Sequence, residues 1–287
     1  MPASITLSIA GFSLKLTSEA VVSLEEGYLP FVISDDGVAD VVINCIQGIP
    51  AIPFPLDDLV FEAKNDSQNF YSIYRTDTGL GFIMFNQQIP DEILQVATLD
   101  KAFSSWTVFV NPEPDGSLLP LKYPFGPIVM YYLTVNSEAL LIHASGIFDG
   151  EKGRIFTGFS GNGKSTISML WANAGNQVIN DDRLIGRKTG DGYFLYNTPM
   201  YYSDRPKKAP LDAIHLISHS PVNKINKQNG ALAVSKVMAF CIQNNYDKEY
   251  IHNLLNFLGE LCTCVPVFEL GFVPDSSIVN FVKSNEH

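Results

Sequence analysis

The sequence predicts a two-domain α/β protein. A β-rich (α+β) N-terminal domain occupies residues 1–115, and a second domain, in which strands alternate with helices, occupies residues 116–287. Three observations carry this reading. The first 110 residues hold short runs rich in Val, Ile, Phe and Tyr, separated by Asp, Gly, Asn and Pro. Residues 111–120, NPEPDGSLLP, bring three prolines and a glycine together and form the strongest break in the chain. Beyond that break, apolar runs of strand length alternate with helical stretches.

In the first domain ITLSIAGFSLKLT alternates apolar and polar residues about a turn at Ala10-Gly11. VVINCI, LVFEA, FYSIYR, LGFIMFN and SSWTVFV are further short strands. In the second domain KYPFGPIVMYYLTVNSEA reads as partly helical, and LLIHASGIF and RIFTG read as strands joined by DGEKG. A helix is expected from Lys164 to Ala174, stopped by Gly175. QVIN is a short buried strand running into Asp181-Asp182, and RLIGRK and YFLYN form a hairpin over TGDG. LDAIHLIS and VPVFELGF are strands, with helices over Leu232–Asn244 and Lys248–Cys262 between them.

The composition narrows the function. With 287 residues, 46% of them hydrophobic, the chain can bury a large core. Its net charge of −11 gives it nothing to gain from phosphate-rich nucleic acid, so DNA and RNA are not expected partners. The longest apolar run, Phe125 to Leu133, falls well short of the roughly 18 residues of a membrane span, so no membrane partner is expected. MPASITLSIAGFSLKL lacks the basic start and long apolar stretch of a signal peptide, and the expected location is the cytoplasm. Cys45, Cys241, Cys262 and Cys264 lack the further ligands of a zinc site and read as reduced, mostly buried thiols. The sequence is compatible with a homo-oligomer.

The most informative stretch is TGFSGNGKSTISML, residues 157–170. Gly158 is followed, after four residues, by Gly163-Lys164-Ser165, the spacing of a phosphate-binding loop. The spacing alone arises in about one random chain of this length per hundred. The strand before it and the helix after it are what make it informative. Gly158, Gly161 and Gly163 let the backbone wrap around phosphate oxygens. The amides of Ser160 to Thr166, Asn162 among them, point at the anion together with the helix N-terminus. Lys164 adds a mobile positive charge, and Ser165 is a candidate Mg²⁺ ligand.

Asp181 and Asp182 follow 17 and 18 residues after Lys164, at the end of the strand after the loop's helix. NDDR is also good turn chemistry. Beside a bound phosphate, however, paired carboxylates suggest one metal ligand and one base that accepts a hydroxyl proton. His143 lies one hairpin ahead of the loop. Alone, a histidine on an apolar strand is more often a core residue; next to the loop it would assist proton transfer or orient Asp181. Four of the five arginines fall between 154 and 205. Most read as solvated charge, and Arg205, on a probable loop, is the candidate for touching a γ-phosphate or a substrate.

The stretch LLIHASGIFDGEKGRIFTGFSGNGKSTISMLWANAGNQVINDDRLI resembles the catalytic core of the HPr kinase/phosphorylase family. More closely it resembles the broader HPr-kinase-related proteins of bacteria, whose core is similar to the nucleotide-binding part of ATP-dependent phosphoenolpyruvate carboxykinases. The shared pattern is His143, the loop from Thr157 to Ser165, and the Asp181-Asp182 pair. The resemblance covers residues 135–190 well and continues weakly through APLDAIHLIS and VPVFEL. It implies an ATP- and Mg²⁺-dependent kinase. Lys164 and the loop amides would hold the β- and γ-phosphates, Ser165 and Asp182 the Mg²⁺; Asp181 would deprotonate an acceptor hydroxyl, supported by His143. The family's EIRGLGI-type and RPGRN-like segments have no counterpart here, so the acceptor is open: a serine of a protein or peptide, or a small hydroxyl compound. Two other readings are a nucleotide-binding regulatory module without transfer and a carboxykinase-like enzyme.

Overall fold

The computed structural model describes residues 3–34, 37–65, 68–89, 92–190, 192–243, 246 and 248–286. The chain forms two compact units, Met1–Leu133 with Pro199–Arg205, and Thr134–Thr198 with Pro206–His287.

The first unit is built on strands β1 (Ala3–Ile9), β2 (Phe12–Ser18), β3 (Val32–Ile33), β4 (Val41–Gln47), β5 (Leu59–Asn65), β6 (Gln68–Thr76), β7 (Gly79–Phe85), β8 (Ile93–Asp100) and β9 (Ser105–Val110). They form one sheet in the order β3-β1-β2-β4-β9-β8-β7-β6-β5. The β1–β2 hairpin turns at Ala10 and Gly11, with φ of 53° and 74°, the left-handed pair that matches strand twist. β2, β4 and β9 run parallel, whereas β9 back to β5 is an antiparallel meander.

The break at 111–120 is a connection within this unit rather than its end. The helix that follows it, α1 (Phe125–Val135), brings Phe125 and Tyr132 to within 5.1 and 5.5 Å of the Trp106 ring. Burying three large rings together outweighs the local turn signal of the prolines. The boundary therefore falls between Leu133 and Thr134. Residues 199–205 join the same unit, and Gly27 packs directly against the Met200 main chain, where a side chain at 27 has no room.

The second unit contains β10 (Ala139–Phe148), β11 (Gly153–Thr157), α2 (Lys164–Asn173), β12 (Gln177–Asn180), β13 (Arg183–Thr189), β14 (Gly192–Asn197), β15 (Lys208–Pro210), β16 (Ala213–His219), β17 (Lys224–Gln228), α3 (Gly230–Met238), α4 (Lys248–Cys264), β18 (Val267–Phe272) and α5 (Ser277–Asn285). Its sheet has the order β15-β14-β13-β10-β11-β16-β18-β17, with β12 also on β10. β11, β16 and β18 are parallel.

Successive residues of β11 and β16 enter different cores. Ile155 and Leu216 join Ala233, Val237 and Leu258 of α3 and α4, whereas Phe156 and Ile217 join Ile167 and Trp171 of α2 and Ile278 of α5. Since side chains alternate across a strand, the helices cover both faces of the sheet, an α/β layered arrangement. α3 ends at Met238, short of the expected Asn244, which lies outside the described residues. The chain leaves the helix to bridge Cys241 to Ile142 of β10. Asp191, in the expected TGDG turn, also lies outside the described residues. The four cysteines are free; Cys45 and Cys241 are buried, Cys262 is half-buried and Cys264 is exposed. No helix among the described residues is long and apolar enough to cross a membrane.

Candidate functional site

The loop Gly158–Gly163 joins β11, in the middle of the sheet, to the N-terminus of α2. Gly161 and Gly163 hold φ of 83° and 91°, where L side chains are strained. At Gly163 a Cβ would also lie 2.7 Å from Phe272 Cζ, so the strand end of β18 props the loop from below. Lys164 is buried, and its Nζ folds back to donate to the carbonyls of Gly158 (2.9 Å) and Phe159 (3.3 Å). Burial lowers its pKa, opposed by the nearby charge of Asp182. Ser160, Gly161 and Ser165 are exposed, and Asn162 and Thr166 are half-buried. The Asn162 amide donates to Ile217 O at 3.0 Å.

A strand arrangement absent from the sequence reading positions the aspartates. β12 pairs with Gly146–Phe148 and β13 with Ala139–His143, along the same side of β10. One antiparallel neighbour is thus interrupted by a bend at Asp181-Asp182. The bend is pinned: Asp182 N–H donates to Asn180 Oδ1 (3.0 Å) and Asp182 O accepts from Ala144 N (2.9 Å). Ser145 Oγ donates to Lys164 O at 3.0 Å, tying the same stretch of β10 to the first turn of α2.

His143 is no core residue; its side chain is 52% exposed, with Nε2 3.6 Å from Asp182 Oδ1. Its main chain is held by Thr157 Oγ1, which donates to its carbonyl at 2.8 Å. Burial lowers its pKa, aided by Lys164 and Arg183 and opposed by Asp182. The expected partner was Asp181, and the observed carboxylate is Asp182. The reason is register: His143 sits opposite Arg183, immediately after Asp182. Arg183 Nε also lies 3.6 Å from Asp182 Oδ2.

Sequence reasoning missed His219. Its Nε2 lies 3.0 Å from Gly161 O, so that nitrogen carries the proton it donates, and its ring stacks on Phe272 at 5.6 Å. The signal was a histidine ending LDAIHLISH, but only knowledge that β16 neighbours β11 gives it meaning.

Arg154 is not a phosphate ligand. It is buried, donating from Nε and Nη2 to Glu286 (2.8–3.0 Å) and from Nη1 to Asp149 (2.8 Å). His215 Nε2 completes the network, 2.7 Å from Glu286 Oε1, with its ring stacked between Phe156 and Phe268. Arg205 belongs to the first unit's segment Pro199–Arg205.

No group of three or more His, Cys, Asp or Glu side chains among the described residues could hold a metal ion. Mg²⁺ takes one or two protein oxygens and completes its shell with phosphate oxygens and water. The exposed Ser165 hydroxyl at the start of α2 and the half-buried Asp182 carboxylate, whose charge opposes the lowering of the Lys164 pKa, are donors of that kind.

No protein-family model matches the chain, and no curated protein matches it. Among solved structures, the Hpr(Ser) kinase/phosphatase from Coxiella burnetii is similar at 10% identity and a TM-score of 0.31, covering 50% of this chain and 94% of that one. A likeness of that size does not bear on fold or activity.

Proposed function

We propose that the second unit binds Mg-ATP and transfers its γ-phosphoryl group to a hydroxyl. One observation carries this reading: a glycine loop with an inward-folded lysine, Lys164, shares its surroundings with Asp182 and His143. Binding alone would use Asp182 on the Mg²⁺ but would leave His143, 3.6 Å from that carboxylate, without a task.

In this reading the loop amides and Lys164 hold the β- and γ-phosphates, with Lys164 released from the Gly158 and Phe159 carbonyls as an anion takes their place. Ser165 and Asp182 would hold the Mg²⁺, which would supply positive charge against the phosphates. Asp181 accepts the proton of the acceptor hydroxyl as its oxygen attacks phosphorus and ADP leaves. His143 positions the Asp182 carboxylate. Catalysis is mainly positioning and charge neutralisation.

The test is Asp181→Asn. Fluorescent-nucleotide titration should give the wild-type Kd for Mg-ATP, while transfer of labelled phosphate falls by about 10²-fold or more, the scale of a general base. Wild-type transfer in that variant would remove Asp181 from the role. Tight nucleotide binding by the wild type with neither transfer nor hydrolysis would favour the regulatory-module reading.

A further inference from the structure

A cavity of about 430 Å³ opens beside the loop, within the size range of small-molecule sites. Its floor is one face of the sheet, with Glu269 of β18 opposite Asn226 of β17 and Lys224 two residues before it. Phe159 and Asn162 of the loop form one side, and Phe240, just past α3, faces Phe159.

Position bears first on what it receives. β11, which carries the loop, lies between β10 and β16. Asp182 and His143 stand on the β10 side, whereas the cavity lies over β16, β18 and β17 on the other. The loop is tied to that second side, through Asn162 to Ile217 O and His219 to Gly161 O. A nucleotide in the loop has two ends. With its γ-phosphate turned to Asp182, its nucleoside leaves on the opposite side of β11, where the cavity begins.

The lining matches that end. Phe159 is 70% exposed, its ring 5.1 Å from that of Phe240 and nearly edge-on to it, so one face of an aromatic ring is left for a planar partner. On the floor the Glu269 carboxylate lies 2.5 Å from Lys236 Nζ, both side chains partly exposed. An acceptor beside a donor is what the hydrogen-bonding edge of a purine requires; in adenine the amino group would donate to Glu269 and the ring nitrogen beside it would accept from Lys236. Lys224 has no carboxylate partner among the described residues, and its stem lies across Gly271, where a Cβ would be 2.8 Å from Lys224 Cε. It is a counter-charge for an α-phosphate passing from the loop to the cavity.

Resting on the phosphotransferase reading above, we propose that this cavity is the nucleoside subsite and that it takes a purine, its ring stacked on Phe159, its edge on Glu269 and Lys236, and its α-phosphate against Lys224.

The test is calorimetric titration of the full chain, in Mg²⁺, with ADP, GDP, UDP and inorganic tripolyphosphate, which probes the loop without a nucleoside. At least one purine diphosphate should bind tenfold or more tightly than UDP. Ala239→Trp, which puts an indole into the cavity, should weaken that purine nucleotide at least tenfold and leave the tripolyphosphate Kd within twofold, with an unchanged melting temperature confirming that it folds. Phe159→Ala should weaken the purine nucleotide about tenfold, the scale of one base–aromatic stack, again sparing tripolyphosphate. If both variants bind the nucleotide within twofold of wild type, the nucleoside lies elsewhere and the proposal is overturned while the phosphotransferase reading stands. If they weaken nucleotide and tripolyphosphate equally, the cavity acts only through the loop and the proposal again falls. If the wild type binds neither nucleotide nor tripolyphosphate, the phosphotransferase reading fails and the proposal with it.

Discussion

Glu286 is the residue whose replacement should most clearly weaken the second unit. Its carboxylate is 3% exposed and accepts three hydrogen bonds from Arg154 and a fourth from His215. Burial alone would raise its pKa, but the bonds from His215 and Arg154 outweigh that and hold it at about 2, against an ordinary 4.5. That difference converts to about 3 kcal/mol at neutral pH. Removing one partner of a buried pair gives a similar figure, about 3–5 kcal/mol, and here the lower end applies because Arg154 keeps Asp149.

His215 does not share the charge. Burial lowers its pKa, its Nε2 donates as a neutral imidazole, and its Nδ1, with no hydrogen-bond partner among the described residues, keeps a lone pair. Glu286→Ala should therefore destabilise the unit by about 3 kcal/mol, lowering its urea midpoint by about 1–2 M. Trp171 is the natural reporter, since its ring lies 5.0 Å from the Arg154 guanidinium; a Trp106→Phe background removes the first unit's signal. The folded-state pKa is depressed, so the stabilisation is present in full above about 4.5 and is lost as pH falls towards about 2. The gap between wild type and Glu286→Gln should close over that window. A pH-independent gap, or an alanine variant within about 0.5 kcal/mol of wild type, would refute the reasoning.

Three further outcomes follow from the loop. Gly163→Ala combines a φ of 91° with a contact to Phe272, and should weaken nucleotide binding at least tenfold by titration while the urea midpoint falls by no more than about 2 kcal/mol equivalent. His219→Ala removes the tether on the Gly161 carbonyl and should raise the nucleotide Kd several-fold, whereas His219→Gln, which keeps a donor, should recover most of the affinity. His143→Gln should slow phosphoryl transfer with little change in nucleotide Kd, because its contact is to Asp182 rather than to the loop amides.

The local parts of the site were legible because each rests on short-range chemistry. The loop needs glycine at fixed offsets, Gly175 stops α2 with φ of 82°, and Ala10-Gly11 supplies the left-handed pair of a tight hairpin. What escaped depends on strands meeting across long separations. KINKQ of β17 is an edge strand with one apolar residue, so it offers no alternation to read, yet it carries Lys224 into the cavity. The boundary was misplaced because prolines at 112, 114 and 120 are a strong local signal, and the burial of Phe125 and Tyr132 against Trp106 is invisible to any local window. Arg154 sits among the loop's neighbours in sequence, but its partner Glu286 lies 132 residues away.

The bend at Asp181-Asp182 makes the two carboxylates distinct for a reason unrelated to their identical chemistry. Each sits at a fixed step along a chain paired with β10 on both sides of the bend, so which of them stands beside His143 is a matter of counting. Exchanging the two would leave the sequence unchanged; inserting a single residue between Asn180 and Asp181 would not, because Asp181 would then occupy the place of Asp182 beside His143. For evolution this is a coarse switch. Substitution at either position removes one carboxylate, while a one-residue slip changes which carboxylate stands beside His143, and the pinned backbone on either side opposes that slip.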